Sequence, residues 1–137
     1  MTRDEVNTYP ILLREKRWLE ERCAELRARI DSPRIPRLTG QPGAHNTMPG
    51  SAQERMADDY MDAAPKYEAK LREVTERLTR IEAAIDALPV KERLAARLHC
   101  MERMPYKAVG EAMGYSVTSI CAFMQSAYKL LEEQEKI

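Results

Sequence analysis

Residues 109–131 read VGEAMGYSVTSICAFMQSAYKLL. Two glycines stand four residues apart, and no acidic residue follows the second glycine within this stretch. We expect a second helix to cross closely over Gly110, where only a small residue fits, and we expect Gly114 to be a turn residue with positive φ. Ser116 is the expected N-cap of the helix that follows. The stretch therefore predicts a short helix, a tight turn at Gly114 and a longer helix that runs to about Glu133.

Apolar side chains occupy the positions expected to hold these two helices together: Val109, Met113, Tyr115, Ile120 and Phe123. A pair of helices joined by a short turn that contains glycine is the helix-turn-helix arrangement. In DNA-binding proteins of this type, the second helix lies in the major groove and its first turns contact the base edges. The pattern therefore predicts a DNA-reading helix, although any tight helical hairpin satisfies part of it.

Six side chains are expected to point outward near the start of the last helix: Ser116, Val117, Thr118, Cys121, Ala122 and Gln125. Gln125 can form a paired hydrogen bond with adenine, and Val117 or Ala122 can pack on a thymine methyl group. In the alternative interpretation, Ser116 only caps the helix, and Cys121 and Ala122 pack against neighbouring helices. The first interpretation makes this surface the candidate site for reading DNA bases.

Hydroxyl and basic side chains supply the expected contacts to phosphates, with the hydroxyl groups also suited to bases: Ser116, Thr118, Ser119, Lys107, Lys129 and Arg103. Residues 89–137 hold seven basic and six acidic side chains, so the net charge of this region is only +1. Phosphate contacts supply most non-specific affinity for DNA. One copy with about three such contacts should therefore bind weakly, and tight binding should need a dimer or a second protein already on the DNA.

Two prolines mark the starts of the helices upstream of this pair. Pro89 suits the first helical position and predicts a helix over about residues 89–103. The apolar face of this helix is expected to carry Leu94, Leu98 and Met101. Pro105 opens the short helix that ends at the glycine turn. The C-terminal third therefore reads as helix, helix, turn and longer helix.

The first half of the chain predicts two long helices. The first spans about residues 10–30, with one apolar stripe formed by Leu12, Leu19, Cys23, Leu26 and Ile30. A segment rich in proline and glycine, residues 31–50, predicts a linker. SAQE at residues 51–54 has the form of a capping box and predicts the start of the second helix. Pro65 is expected to kink or split that helix, because its ring clashes with the carbonyl four residues earlier.

Seven apolar residues after Pro65 alternate four and three apart: Tyr67, Leu71, Val74, Leu78, Ile81, Ile85 and Leu88. This spacing is typical of a coiled-coil seam. Its partner is either the first helix, folded back through the linker as a hairpin, or a second protomer in a homodimer, and the sequence does not separate the two. We expect an all-α protein with a coiled-coil-like region at 1–88 and a helix-turn-helix domain at 89–137.

The composition is typical of a helical protein without a prosthetic group. The chain has 137 residues, of which 22 are basic and 22 acidic, and it is rich in good helix formers. Its three cysteines are widely spaced, and its two histidines have no partner at ligand spacing, so we expect no metal and no cofactor. The absence of a glycine-rich phosphate loop and of a nucleophile–base pattern argues against an enzyme. No apolar run approaches the roughly 20 residues of a membrane span, and a signal-peptide core is missing, so a cytoplasmic protein is expected.

The last fifty residues, which include ALPVKERLAARLHCMERMPYKAVGEAMGYSVTSICAFMQSAYKLL, resemble the C-terminal region of sigma-70-type factors, the part that reads promoter DNA. They are most similar to the version in small phage-encoded transcriptional regulators of the ArpU and RinA kind. In those proteins a Pro-rich stretch and a heptad helix precede this region, as do Met48-Pro49 and the helix from Tyr67 to Leu88 here. The resemblance implies control of phage or prophage transcription, with double-stranded DNA and RNA polymerase as partners.

In two places the sequence departs from the family pattern. The family usually has an acidic residue before an Ile-Ala pair where this chain has Ala108, Val109 and Gly110. Its recognition helix commonly carries two or three Arg or Lys where this chain has Cys121, Ala122, Met124 and Gln125. Size and apolar character are kept at these positions, so the same fold is expected, and the changes bear on the affinity for DNA and on the target sequence.

The sequence leaves two other functions open. In the first, the chain is a protein-interaction module that docks on a partner such as RNA polymerase, and the heptad helices carry its activity. In the second, it is a DNA-packaging component similar to small terminase subunits, which also join a helix-turn-helix to coiled-coil helices. Those subunits usually place the DNA-binding part first and form rings.

Overall fold

In the computed structural model, residues 1–31 and 49–135 are described, with side chains described for residues 1–30 and 61–134. The elements, in chain order, are α1 (Arg3–Asn7), α2 (Tyr9–Asp31), α3 (Pro49–Asp86), α4 (Val90–Ala96), a π-helical turn (Arg97–Met101), α5 (Tyr106–Met113) and α6 (Val117–Glu135). No strand occurs in these ranges. The prediction of an all-α protein is therefore confirmed.

The long helices begin and end close to their predicted limits. The first predicted helix, residues 10–30, corresponds to α2. Helix α3 begins at Pro49, two residues before the predicted capping box, and Pro suits a first helical position because its missing N–H has no partner there. It continues through Pro65, so the predicted split at this residue is wrong. The predicted linker at 31–50 lies almost wholly outside the described residues.

The chain divides into two compact units. One consists of Met1–Lys16 with Val74–Ile137, and the other of Arg17–Glu73. Helices α2 and α3 therefore contribute residues to both units. The predicted domain boundary after residue 88 falls within the first unit, which also includes the first sixteen residues of the chain.

In the unit formed by residues 17–73, α2 packs against α3 through a narrow apolar strip. Among the side chains that the structure describes in this unit, the buried ones are Leu19, Cys23 and Leu26 of α2 and Ala64 of α3. At the edge of this strip, the ring of Trp18 meets the ring of Tyr67 edge-on at 5.9 Å, and the Arg22 guanidinium lies 5.8 Å from the same ring. An exposed ion pair of 2.6 Å joins Arg27 to Glu68.

In the other unit, the heptad stripe of α3 is part of the core. Its members there are all buried: Val74, Leu78, Ile81, Ile85 and Leu88. The start of α2 lies beside them, since the hydroxyl of Tyr9 donates a 2.6 Å hydrogen bond to Glu82. The single chain therefore covers this part of the stripe itself, and the predicted homodimer through it has no support among these side chains.

The buried face of α4 differs from the predicted one. Leu94 is 43% exposed, and Leu98 and Met101 are only half-buried, whereas the fully buried positions are Ala95, Ala96 and Cys100. Leu94, Leu98 and Met101, which were predicted to share one apolar face, are therefore not the residues that this segment buries most deeply. Small side chains on this face allow α6 to approach closely, and the π-helical turn changes the angular spacing of the residues that follow Ala96.

Candidate nucleic-acid interface

The turn between α5 and α6 is built on Gly114 and on one carbonyl group. Gly114 ends α5 in the left-handed conformation, with φ of 78° and ψ of 30°. The carbonyl oxygen of Gly110 accepts hydrogen bonds from the amides of Gly114, at 2.8 Å, and Tyr115, at 2.9 Å. These bonds fix where the chain leaves α5 and enters α6. The prediction that Gly114 supplies the positive φ of the turn is confirmed.

Gly110 is required because the turn folds back onto it. A Cβ atom at this position would lie 2.6 Å from the carbonyl oxygen of Tyr115 and 3.6 Å from Cγ1 of Ile120. The first distance is too short for any carbon–oxygen contact, so only glycine fits without a shift of the backbone. The need for a small residue at 110 is confirmed. The closest neighbour is the backbone of the turn, with α6 in ordinary contact beyond it.

Ser116 caps the start of α6. Its Oγ accepts a 3.2 Å hydrogen bond from the amide of Ser119 and lies 3.1 Å from the Ser119 hydroxyl. Because the first amides of a helix have no partner within the helix, this bond stabilises the N-terminus of α6. The predicted cap is confirmed, and it also turns the half-buried Ser119 hydroxyl toward Ser116.

Helix α6 has a buried face and an exposed face. The buried face carries Ile120, Met124, Ala127, Tyr128 and Leu131. The opposite face carries exposed side chains three and four residues apart: Thr118, Ala122, Gln125 and Lys129. Val117, at the first helical position, is 49% exposed although its side chain is apolar. The structure therefore brings these five predicted site residues together at the surface of one helix.

The remaining predicted site residues occupy other positions. Cys121 is half-buried, and its Sγ is 3.8 Å from Nε2 of Gln125. Lys107 is exposed on the first turn of α5, and Arg103 is exposed in the connection that precedes α5. No hydrogen bond or ion pair joins Lys107 or Arg103 to the exposed face of α6 in the described part of the chain.

The connection that carries Arg103 has an unusual backbone. Arg103 adopts φ of 59°, a left-handed conformation that costs a residue with a side chain about 1–2 kcal/mol. Nδ1 of His99 donates a 2.8 Å hydrogen bond to the carbonyl of Met104, and the His99 ring lies 4.6 Å from the ring of Tyr106. These contacts hold the connection on both sides of Arg103. The sequence around His99 carries no pattern that predicts this role.

Tyr128 joins three parts of its unit. Its hydroxyl donates a 3.3 Å hydrogen bond to Oδ1 of Asn7 in α1 and lies 3.7 Å from Sγ of Cys100 in the π-helical turn. The guanidinium of Arg3 is 4.8 Å from the centre of its ring. Burial, followed by the nearby Cys100, raises the pKa of Tyr128 to about 12, and burial likewise raises the pKa of the Cys100 thiol. Through these contacts, α1 and the π-helical turn hold the buried face of α6 in place.

An aromatic pair holds the turn against α6. The rings of Tyr115 and Phe123 meet edge-on at 5.0 Å and 89°. The ammonium group of Lys91, on α4, lies 5.7 Å from the centre of the Tyr115 ring and 5.9 Å from that of Phe123. Lys91 is therefore engaged with these rings on a different side of α6 from the exposed face.

Two other kinds of feature are absent from the described part of the chain. Among the side chains of residues 1–30 and 61–134, no group of three His, Cys, Asp or Glu is placed to hold a metal ion. None of the helices in residues 1–31 and 49–135 combines the length and the apolar composition that crossing a membrane requires.

Comparison with known proteins found no match for this chain among protein families, curated proteins or solved structures.

Proposed function

We propose that this protein binds double-stranded DNA through a helix-turn-helix formed by α5 and α6, with α6 in the major groove. The observation that carries the proposal is the exposed face of α6, where Thr118, Ala122 and Gln125 stand together and no charged residue lies between Thr118 and Gln125. An α-helix with its side chains is about 10–12 Å wide, which matches a major groove of about 12 Å. The Gly110–Tyr115 contact in the turn and the Tyr128 hydrogen bonds on the buried face hold α6 in place.

Basic side chains around this face are suited to the phosphate backbone. Lys129 continues the exposed face toward the C-terminal end of α6, and Lys107 and Arg103 lie at and before the start of α5. Three phosphate contacts predict a slope of about −2.7 in a plot of log K against log salt concentration. Such binding is weak, so we propose that the protein acts as a dimer or beside RNA polymerase.

The biological setting we propose is transcriptional control in a phage or prophage. It rests on the resemblance of residues 87–131 to the promoter-reading region of sigma-70-type factors and of the ArpU and RinA kind of regulators. The α5–turn–α6 geometry supports this assignment, because Gly110, Gly114 and Ser116 each have the local role that such a motif needs.

Fluorescence anisotropy with the full chain and labelled random duplexes tests DNA binding. Affinity should fall about 40-fold between about 50 mM and about 200 mM NaCl. Lys129→Ala should reduce the magnitude of the slope by about 0.9, because one phosphate contact is lost. Lys66→Ala is the matched control, since Lys66 is an exposed lysine of the other unit and should leave the slope unchanged. Absence of binding at low salt, or equal effects of the two variants, would count against the proposal.

A second candidate function, a module that docks on RNA polymerase, is favoured by one observation. Val90 is 69% exposed and Leu94 43% exposed, and both lie on α4 near Lys91. Exposed apolar side chains in proximity often mark a protein interface. If docking is the function, replacing both residues with serine should abolish activity in a transcription assay, while the triple replacement of Thr118, Gln125 and Lys129 with alanine should leave it intact.

A further inference from the structure

We infer that the base pairs contacted by α6 are A·T pairs, read through an adenine edge by Gln125 and through thymine methyl groups by apolar side chains. This inference rests on the proposed function and specifies the class of DNA site that α6 selects. It follows from which side chains the exposed face of α6 presents and which it lacks.

Between Thr118 and Gln125, the exposed face has no side chain suited to guanine. In the major groove guanine presents two acceptors, N7 and O6, and arginine or lysine is the usual partner for them. No charged residue occurs between Glu111 and Lys129. Lys91, which contacts the turn before α6, has its ammonium group over the rings of Tyr115 and Phe123. Acidic side chains, which accept from the amino group of cytosine, are equally absent from this stretch.

Gln125 supplies the paired hydrogen bonds that adenine requires. Adenine presents an N6 donor beside an N7 acceptor, and an amide side chain matches both, with its oxygen accepting from N6 and its nitrogen donating to N7. Gln125 is exposed, and the 3.8 Å contact of its Nε2 with Cys121 Sγ is its single side-chain hydrogen bond in the described part of the chain. A contact to sulfur at this distance is weak, so the amide can turn to a base at little cost.

Apolar groups at the start of α6 and on its exposed face match the methyl group that only thymine carries. Val117 is 49% exposed at the first position of α6, and the methyl group of Ala122 is exposed between Thr118 and Gln125. In water an exposed valine at this position gains nothing, but contact with a thymine methyl removes apolar surface of both groups from solvent. The hydroxyl of Thr118 can donate or accept and so excludes no base.

The length of the surface limits the number of base pairs read. Val117 and Gln125 are eight residues apart, which corresponds to about 12 Å along the helix axis. At about 3.4 Å per base pair, this length spans three to four base pairs. Lys129 lies a further turn along α6, at the edge of this span, where a phosphate is the nearer partner. The selected core is therefore expected to be a run of about four A·T pairs.

Selection of binding sites from a pool of randomised duplexes by the full chain tests the inference directly. The enriched sites should share a core of about four A·T pairs. Replacement of a contacted thymine by uracil removes only the methyl group and should weaken binding about fourfold. Replacement of the contacted adenine by 7-deazaadenine removes the N7 acceptor and should weaken binding at least fivefold.

The variant Gln125→Ala should weaken binding roughly five- to 150-fold and should make the protein insensitive to 7-deazaadenine. Gln134→Ala is the matched control: Gln134 lies near the end of the same helix, and its amide donates to the carbonyl of Ala84. It should retain the sensitivity to 7-deazaadenine. An enriched core of G·C pairs, or binding unaffected by both base analogues, would overturn the inference while leaving DNA binding established. Absence of any salt-sensitive binding would instead overturn the proposed function, and the inference with it.

Discussion

Gly110 gives the most direct test of how the turn between α5 and α6 is built. In the variant Gly110→Ala, the new Cβ atom would lie 2.6 Å from the carbonyl oxygen of Tyr115. Its neighbour is backbone, so the turn must move by several tenths of an ångström to admit the methyl group. This movement would also stretch the 2.8 Å and 2.9 Å hydrogen bonds that the Gly110 carbonyl accepts from Gly114 and Tyr115.

Two opposing effects set the size of the change. Alanine is a better helix former than glycine by about 1 kcal/mol, which favours the variant. Overpacking against a fixed neighbour costs about 1–3 kcal/mol, and weakening of the two hydrogen bonds costs up to about 1 kcal/mol each. We expect a net destabilisation of about 1–3 kcal/mol. For 137 residues this corresponds to a decrease in Tm of about 4–10 °C.

Thermal unfolding followed by far-UV circular dichroism measures this change. The variant Ala112→Gly calibrates the helix-propensity effect, because Ala112 is exposed on the same helix and its replacement should cost about 1 kcal/mol. If Gly110→Ala proves as stable as the natural chain, or gains the 1 kcal/mol that propensity alone gives, then the close contact with Tyr115 does not exist in solution.

Four further results are expected. Ser116→Ala should lower the free energy of unfolding by about 1 kcal/mol in urea titrations. Ser116→Asp keeps a cap for the Ser119 amide, so it should retain stability, but it should weaken DNA binding measured by fluorescence anisotropy. Tyr128→Phe removes the hydroxyl that binds Asn7 and should lower the free energy of unfolding by about 1 kcal/mol in the same titrations. An unchanged urea midpoint would show that this hydroxyl makes no net contribution to stability. Because the pKa values of Tyr9 and Tyr128 are raised to about 12, the folded chain favours the neutral phenols. The contribution of the two tyrosines to the free energy of unfolding should be fully present below about pH 10. It should fall by on the order of 2 kcal/mol per ring as the pH rises to about 12. A flat profile of stability over this pH range would contradict the raised pKa values. In pulse-labelled hydrogen exchange during refolding, the amides of α1 should gain protection last, since Asn7 and Tyr128 are 121 residues apart; early protection of α1 would contradict this order.

The turn was predictable from sequence because each of its residues meets a local demand. The positive φ of the turn requires glycine at Gly114, and the start of α6 requires a capping side chain such as that of Ser116. Glycine is required at Gly110 because a Cβ atom there would lie 2.6 Å from a backbone carbonyl oxygen. The exposed face of α6 was predictable for a similar reason, because the helical period alone places Thr118 and Gln125 on one side.

Features that depend on a distant partner were not predictable. Leu94 fits the apolar pattern of α4, but the buried face consists of the small side chains Ala95 and Ala96, a choice that depends on how closely α6 packs. Helix α1 has five residues, which is too short for any periodic signal, and its place is set by contacts such as that of Asn7 with Tyr128. The His99–Met104 hydrogen bond lies in an irregular connection that no sequence pattern describes.

The pairing of Met1–Lys16 with Val74–Ile137 has a consequence for biosynthesis. On the ribosome, Val6, which is fully buried in the folded protein, emerges long before Tyr128 is made. Even when both are available, closing a loop of this length costs about 4 kcal/mol in chain entropy. The segment Arg17–Glu73 is contiguous and needs no later residue for its own contacts. A nascent chain that stalls before Tyr128 therefore leaves Val6 without the partners that bury it, and chaperones and proteases can act on it before α6 is complete.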